Sequence, residues 1–267
     1  MKPTPLIEDL SQIDLPSGEL HLAIGMFDGV HLGHQVVVES AVHSAQRVGG
    51  VSAVLTFWPH PATLVAPKNS KPLIMTPALK LQRVTELGVD TVLFKHFDLA
   101  FSQIEAQAFL PYLKQCMPTL SAIYVGKNFA YGHKRQGTVD LLIQQGKAIG
   151  VNIISVAPVH YNDEAISSTR IREALKAGDL ALANALLGSD YEVQGTVVGG
   201  DQRGRTLGFP TLNIPWEPEL QPRYGVYAVR LQAQGESLWH DGVANFGVRP
   251  TVCDSTIPLL EVHLIQP

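Results

Sequence analysis

Over the first two-thirds of the chain, apolar runs of strand length alternate with longer segments whose apolar positions recur on one face. LHLAIGMF at 20–27 predicts a strand. A glycine-rich loop follows, and then QVVVESAVHSAQRVG at 35–49, whose length, alanines and terminal glycine predict a helix. The alternation continues with VSAVLTFW (51–58, strand), PALKLQRVTELG (77–88, helix), DTVLFKHF (90–97, strand) and EAQAFLPYLKQCM (105–117, helix). LSAIYVG (120–126), TVDLLIQQGKAIG (138–150) and VNIISVAPV (151–159) complete it as strand, helix and strand. Strands separated by helices of this length are βαβ units around a parallel sheet, the α/β class, with ligands gathering at the carboxyl ends of the strands.

Near residue 190 the pattern changes. STRIREALKAGDLALANALLG at 168–188 predicts a pair of short helices ending at Gly188. After it come YEVQGTVVG, TLNIP, GVYAVRLQ, WHDGVANFG and LLEVHLI, strand-like runs punctuated by Gly and Pro with no helix between them. That favours a small antiparallel barrel or sandwich. The expected organisation is a Rossmann-like domain over residues 1–187 and a β-rich domain over 188–267.

At 267 residues two domains are the better prior, and 45% apolar against 16% charged residues is a globular composition. The formal charge of −4 provides no basic field for nucleic acid or an anionic membrane surface, so a small-molecule substrate is expected. Cys116 and Cys253 are far apart and outside any CxxC pair, which argues against a disulfide framework and a thiolate zinc site. The N-terminus lacks a signal-peptide core and no run approaches the ~20 apolar residues of a membrane span. A cytoplasmic protein is expected; the oligomeric state is not legible.

The loop GMFDGVHLGH at 25–34 lets backbone N–H groups approach an anion, and the helix after it offers its positive end to a phosphate. His31 and His34 at its edge are donors, or positive charges, for a phosphoryl oxygen. A metal reading is weaker: helical His pairs favour i, i+4 spacing, a third ligand is not close by, and His60 would have to be recruited without any recognisable motif. For either histidine alone, an ordinary turn residue is the simpler reading. ISSTRIREAL at 166–175 opens a late helix, where Ser167, Ser168 and Thr169 bring hydroxyls to free helix N–H groups and Arg172 stands one turn in, suited to a triphosphate. Alone, that segment reads more simply as an ordinary helix cap with a solvent-facing arginine.

Together, HxGH after the first strand and ISSTxxR opening a late helix resemble the nucleotidylyltransferase superfamily, in particular the adenylyltransferase module of prokaryotic FAD synthetases. TFWPHP at 56–61, VGKNFAYGHKRQG at 125–137 and LLGSDYEVQGTVVGGDQRGRTLGFPTLNI at 186–214 extend the likeness from about residue 20 to the end. The resemblance implies that a phosphate oxygen of FMN attacks the α-phosphorus of ATP, releasing pyrophosphate and forming FAD. It implies that Gly25, Phe27, Asp28, Gly33, Ser167, Ser168 and Thr169 contact ATP or its phosphates, with His31, His34, Asn128 and Arg172 catalytic. Asp28 is expected to orient a histidine or a hydrated magnesium ion. Phe57, Pro59, His60 and Phe129 are expected around the flavin. Ala130 departs from the larger or polar residue that many relatives carry there.

In the β-rich part, VVGGDQRGRTLGFPTLNI at 197–214 joins a glycine-rich turn and the polar reaches of Gln202, Arg203 and Arg205 to Thr211 and Asn213, spaced by two on a strand and so on one face. Oxygen ligands of this kind suit magnesium on ATP phosphates, though PTxN is also an ordinary start of a strand. The segment resembles the riboflavin kinase module. That resemblance implies ATP contacts at Gly200 and Arg205, Mg2+ at Thr211 and Asn213, and Glu261 as the base that takes the proton of the ribityl hydroxyl. The family continues past the matching strand, whereas this chain stops at Pro267, so an incomplete barrel is expected. The expected function is phosphorylation of riboflavin to FMN and adenylylation of FMN to FAD. The alternatives are an adenylyltransferase alone or a flavin-binding protein without turnover.

Overall fold

The computed structural model describes residues 6–199, 210–248 and 258–265. Five parallel strands, β1 (Leu20–Ile24), β2 (Val51–Trp58), β3 (Thr91–His96), β4 (Leu120–Gly126) and β5 (Asn152–Val156), form a sheet in the order β3-β2-β1-β4-β5. The helices between them are α1 (Leu32–Val48), α2 (Pro61–Val65), α3 (Pro77–Glu86), α4 (Leu99–Ser102), α5 (Ala106–Cys116) and α6 (Val139–Ile149). All five residues of β1 are buried, as its place at the centre of the sheet requires, and the one polar side chain among them, His21, hydrogen-bonds to the Tyr124 hydroxyl at 3.0 Å. Alternation divides them between layers. Leu20, Leu22 and Ile24 face the core made with Phe109, Leu110 and Leu113 of α5 and Leu142 of α6, whereas Ala23 faces Val38 and Ala41 of α1 and Val84 of α3.

A two-stranded ribbon, β6 (His160–Tyr161) and β7 (Glu164–Ala165), leads into α7 (Ser168–Ala177) and α8 (Leu180–Leu187). These two helices close on a third apolar cluster that includes Ile74 and, from the β-rich part, the fully buried Leu220. Beyond them, β8 (Leu212–Pro215), β9 (Gly225–Leu231), β10 (His240–Gly247) and β11 (Leu259–Leu264) form an antiparallel sheet in the order β8-β11-β10-β9. On β10 Gly242, Ala244 and Phe246 are buried and their neighbours are not, the alternation of a one-sided sheet.

One expected strand does not form. In YEVQGTVVG only Val198 bridges, to Asn213. The polar groups before it are spent on the first domain: the Tyr191 N–H donates to Asn184 Oδ1 (2.9 Å), Glu192 pairs with Arg83, and Gln194 Nε2 donates to Gln82 Oε1 (2.8 Å). These residues strap the two parts together. The expected strand at 151–159 also ends early, at Val156, ahead of Pro158.

Candidate active site

The sheet order reverses direction between β1 and β4, and the loops after these strands open at that crevice. After β1 the chain turns tightly. Phe27 and Val30 have positive φ (50° and 39°), which a non-glycine residue adopts only under strain that the surroundings hold in place. A Cβ on Gly25 would lie 2.9 Å from the Phe27 ring, so the ring's inward seat requires glycine there. A Cβ on Gly33 would come within 3.2 Å of the His31 ring.

His31 is the N-cap of α1, its Nδ1 accepting the His34 N–H at 3.3 Å. An accepting Nδ1 places the ring proton on Nε2, which is then a donor. The two rings stack with centroids 3.6 Å apart and 16° between planes, and the edge of His34 meets Phe27 at 5.4 Å. Burial lowers the His31 pKa to about 4. Burial lowers that of His34 well below the usual value, helped by the charges of His31 and Lys80. At neutral pH both are uncharged imidazoles, which favours the donor reading of the sequence over the positive-charge reading. The Nδ1 of His34 is buried without a partner among the described residues.

Asp28 does not orient a histidine. Its carboxylate, 6% exposed, accepts the Ile74 N–H at 3.0 Å and pairs with the guanidinium of Arg172, 10% exposed. Burial pushes the Asp28 carboxyl up, with Arg172 pulling the other way. Arg172 is likewise not solvent-facing: its Nε donates to the Pro72 carbonyl at 2.7 Å. The pairing docks the start of α7 against the histidine turn, and Ser168 Oγ completes it by donating to the Asp28 carbonyl at 2.9 Å. Ser167 caps α7 by accepting the Arg170 N–H (3.3 Å), and Thr169 Oγ1 accepts from Lys71 Nζ (3.1 Å). Two helix N-termini, α1 and α7, therefore meet at one turn, the arrangement that attracts a polyanion.

Beside the turn lies a narrow cleft lined by Met26, Asp28, Trp58, His60, Met75 and Lys80. His60 caps α2, its Nδ1 accepting the Ala62 N–H at 3.1 Å, and burial lowers its pKa, followed by the charges of Arg172 and Lys80. Phe57 borders this cleft, but its ring is 8% exposed and packs in the core against Phe101 (5.6 Å) and Phe97 (5.9 Å). Phe129 is similarly engaged, stacked on Tyr131 at 5.7 Å. Pro59 follows β2 directly, next to Trp58 in the cleft wall. Asn128 is exposed in the turn after β4, at the same edge of the sheet as the histidine turn. Two further lining residues, Trp58 and Lys80, are not among the expected site residues. Trp58 stands inside TFWPHP at 56–61, and that likeness is the signal that could have found it, whereas Lys80 lies hidden in an ordinary amphipathic helix.

In the second sheet Glu261 on β11 stands directly opposite Asn213 on β8 and Asn245 on β10, and Asn245 Nδ2 donates to its carboxylate at 3.4 Å. Directly opposed residues share a face, so the carboxylate lies between two amides. Asn213 is 6% exposed, while Thr211 is exposed just before β8. The donor set is oxygen throughout, which fits magnesium. Gly200, Gln202, Arg203 and Arg205 lie outside the described residues.

The fold and the first site define a nucleotidyltransferase-type α/β domain joined to an antiparallel β module. The family described as FAD synthetase matches residues 16–170, and the family described as riboflavin kinase matches residues 187–267. The chain is 38% identical over 260 residues to the bifunctional riboflavin kinase/FMN adenylyltransferase of Escherichia coli (strain K12), covering 97% of this chain and 82% of that protein. It is 38% identical to the protein of that name from Listeria monocytogenes, with 92% of this chain and 77% of that protein covered. The Bacillus subtilis protein of that name is 36% identical, with 92% and 78% covered. A solved structure described as a macrolide-efflux protein from Streptococcus pneumoniae superposes with a TM-score of 0.85 at 29% identity, over 97% of this chain and 84% of that one. The chain belongs to the bifunctional riboflavin kinase/FMN adenylyltransferase family and carries both enzymatic domains. No helix among the described residues is long and apolar enough to cross a membrane.

Proposed function

We propose that this protein phosphorylates riboflavin to FMN in residues 188–267 and adenylylates FMN to FAD in residues 1–187, with ATP as the donor in both steps. The observation that carries the adenylyl step is the stacked, uncharged His31–His34 pair at the start of α1, docked to the start of α7 through Asp28, Ser168 and Arg172. A phosphate oxygen of FMN attacks the α-phosphorus of ATP, the bond to the β-phosphate oxygen breaks, and pyrophosphate leaves. The Nε2–H of His31 and the ring N–H of His34 donate to phosphoryl oxygens as charge grows on them. The N–H groups opening α7, with Ser168 and Thr169, hold the triphosphate end, and Arg172 holds the shape of the turn while its remaining donors face the phosphates. Asn128 contacts the phosphates from across the crevice, and the cleft beside Trp58, Pro59 and His60 takes the flavin.

In the second module Glu261 accepts the proton of the ribityl 5′-hydroxyl while that oxygen takes the γ-phosphoryl group and ADP leaves. Thr211 and Asn213 would hold Mg2+, which when bound neutralises charge on the ATP phosphates. The cytoplasm, where ATP is supplied, is the proposed location.

Product analysis tests the reading. Protein incubated with FMN, ATP and magnesium is expected to release FAD and pyrophosphate, and with riboflavin in place of FMN to release both FMN and FAD. Absence of FAD from FMN refutes the adenylyl step. FAD from FMN with no product from riboflavin refutes the kinase step alone.

A further inference from the structure

Lys80 is 6% exposed on the inner face of α3, and none of the roles above uses it. Its ammonium donates to three oxygens: the Met26 carbonyl (3.3 Å), Thr56 Oγ1 (3.1 Å) and the Phe57 carbonyl (3.3 Å). The hydroxyl of Thr56 in turn donates to the Met26 carbonyl at 3.1 Å. Behind the nitrogen lies the ring of Phe94 on β3, 5.4 Å from the ammonium to its centroid. All three acceptors are neutral. Asp28, the acid whose charge reaches Lys80, is already paired with Arg172.

A buried cation with neutral partners is costly, and a neutral donor would bridge the same carbonyls at less cost. The placement accounts for the charge. Met26 begins the turn that carries His31 and His34, Phe57 is at the end of the strand that enters the flavin cleft, and Lys80 itself lines that cleft. The geometry points to Lys80 as a positioning residue for FMN adenylylation. It locks the histidine turn to the end of β2 and leaves a positive charge beneath the cleft that an anionic phosphate substrate offsets. The inference rests on the adenylyl step proposed above.

The titratable and charged groups facing the ammonium are Asp28 from the turn, His34 from α1 and His60 from the start of α2, with Arg172 of α7 acting through Asp28; β3 contributes only the Phe94 ring. The imidazoles are neutral at and above pH 7. Burial lowers the Lys80 pKa to about 8, with Asp28 opposing. The protonated form is the competent one, so its contribution is lost as pH rises through that value.

The test is the pH profile of kcat/KM for FMN between pH 7 and 9.5, which reports groups of the free enzyme. The wild-type protein is expected to break near pH 8 and to fall about tenfold by pH 9. Lys80→Met is expected to be about 10²-fold lower at pH 7, a loss typical of sub-ångström to ångström misplacement, with no break. Lys80→Arg keeps its charge throughout the range, so it is expected to recover activity above Lys80→Met and to show no break. A flat wild-type profile, or a break that persists in Lys80→Arg, overturns the inference, and both readouts decide it even if Lys80→Met does not fold. Wild-type protein that makes no FAD from FMN at any pH overturns the adenylyl reading itself, whereas FAD formation with a flat profile overturns only the role of Lys80.

Discussion

The stacked histidines make the protein sensitive to acid in a defined window. An unfolded histidine protonates near pH 6.5, whereas burial holds His31 neutral down to about pH 4. Below 6.5 the unfolded chain therefore binds a proton that the folded one refuses, so stability present above 6.5 is lost as pH falls. Each pH unit in that window is worth about 1.4 kcal/mol, which makes the loss from His31 about 2 kcal/mol at pH 5 and about 3 kcal/mol near pH 4. His34, whose pKa is shifted in the same direction, adds to it. His31→Asn isolates the first contribution: asparagine is a strong N-cap, so α1 keeps its cap while the titrating ring is gone. Urea unfolding of wild type and variant at pH 7.5, 6, 5 and 4.5 measures the effect. The two stability curves are expected to converge by about 2 kcal/mol between pH 7.5 and 5, and parallel curves would refute the burial argument.

His34→Ala is expected to lower FAD formation from FMN by about 10²- to 10³-fold with FMN affinity nearly unchanged, as for other donors to a developing anion; an equal loss of FMN affinity in a binding titration would contradict that role. Glu261→Gln should abolish FMN formation from riboflavin and spare FAD formation from supplied FMN. Chromatography of both products decides it, and parallel loss would show that the two sites are not independent. Asp28→Asn leaves the Arg172 guanidinium buried without its counter-ion and is expected to cost about 3–5 kcal/mol in urea unfolding. Combining it with Arg172→Met should recover much of that loss, and simple additivity of the two would contradict a coupled pair.

The α/β half was legible because burial on both faces of the parallel sheet writes mainly apolar runs into the chain, as in VSAVLTF at 51–57 where only Ser52 and Thr56 interrupt, and glycines end α1 and α6 where the backbone turns left-handed. The His31 and Ser168 segments were legible by their residue types at helix starts. What periodicity could not supply was which polar side chains find each other across long separations. Arg172 reads as a free guanidinium until the fold brings Asp28 to it from 144 positions away. Lys80 reads as one more polar residue of α3 until the ends of β1 and β2 close over it.

The false strand at 191–199 has the same origin. Its alternation suits a sheet, but the polar partners of its first residues lie on the first domain, and Tyr191, with Glu219 and Leu220 from farther along the β-rich part, reaches one short loop there. The Tyr191 hydroxyl donates to the Ile74 carbonyl (3.2 Å), Glu219 accepts the Leu73 N–H (3.0 Å), and the Leu220 N–H donates to the Leu73 carbonyl (3.1 Å). That loop also accepts Arg172 at Pro72 and donates to Asp28 from Ile74, and Leu73 and Met75 line the cleft. The β-rich part thus buttresses one wall of the cleft where FMN is proposed to bind. A sequence motif confined to either domain carries no trace of that wall, because three of these five hydrogen bonds come from the β-rich part and two from the first domain.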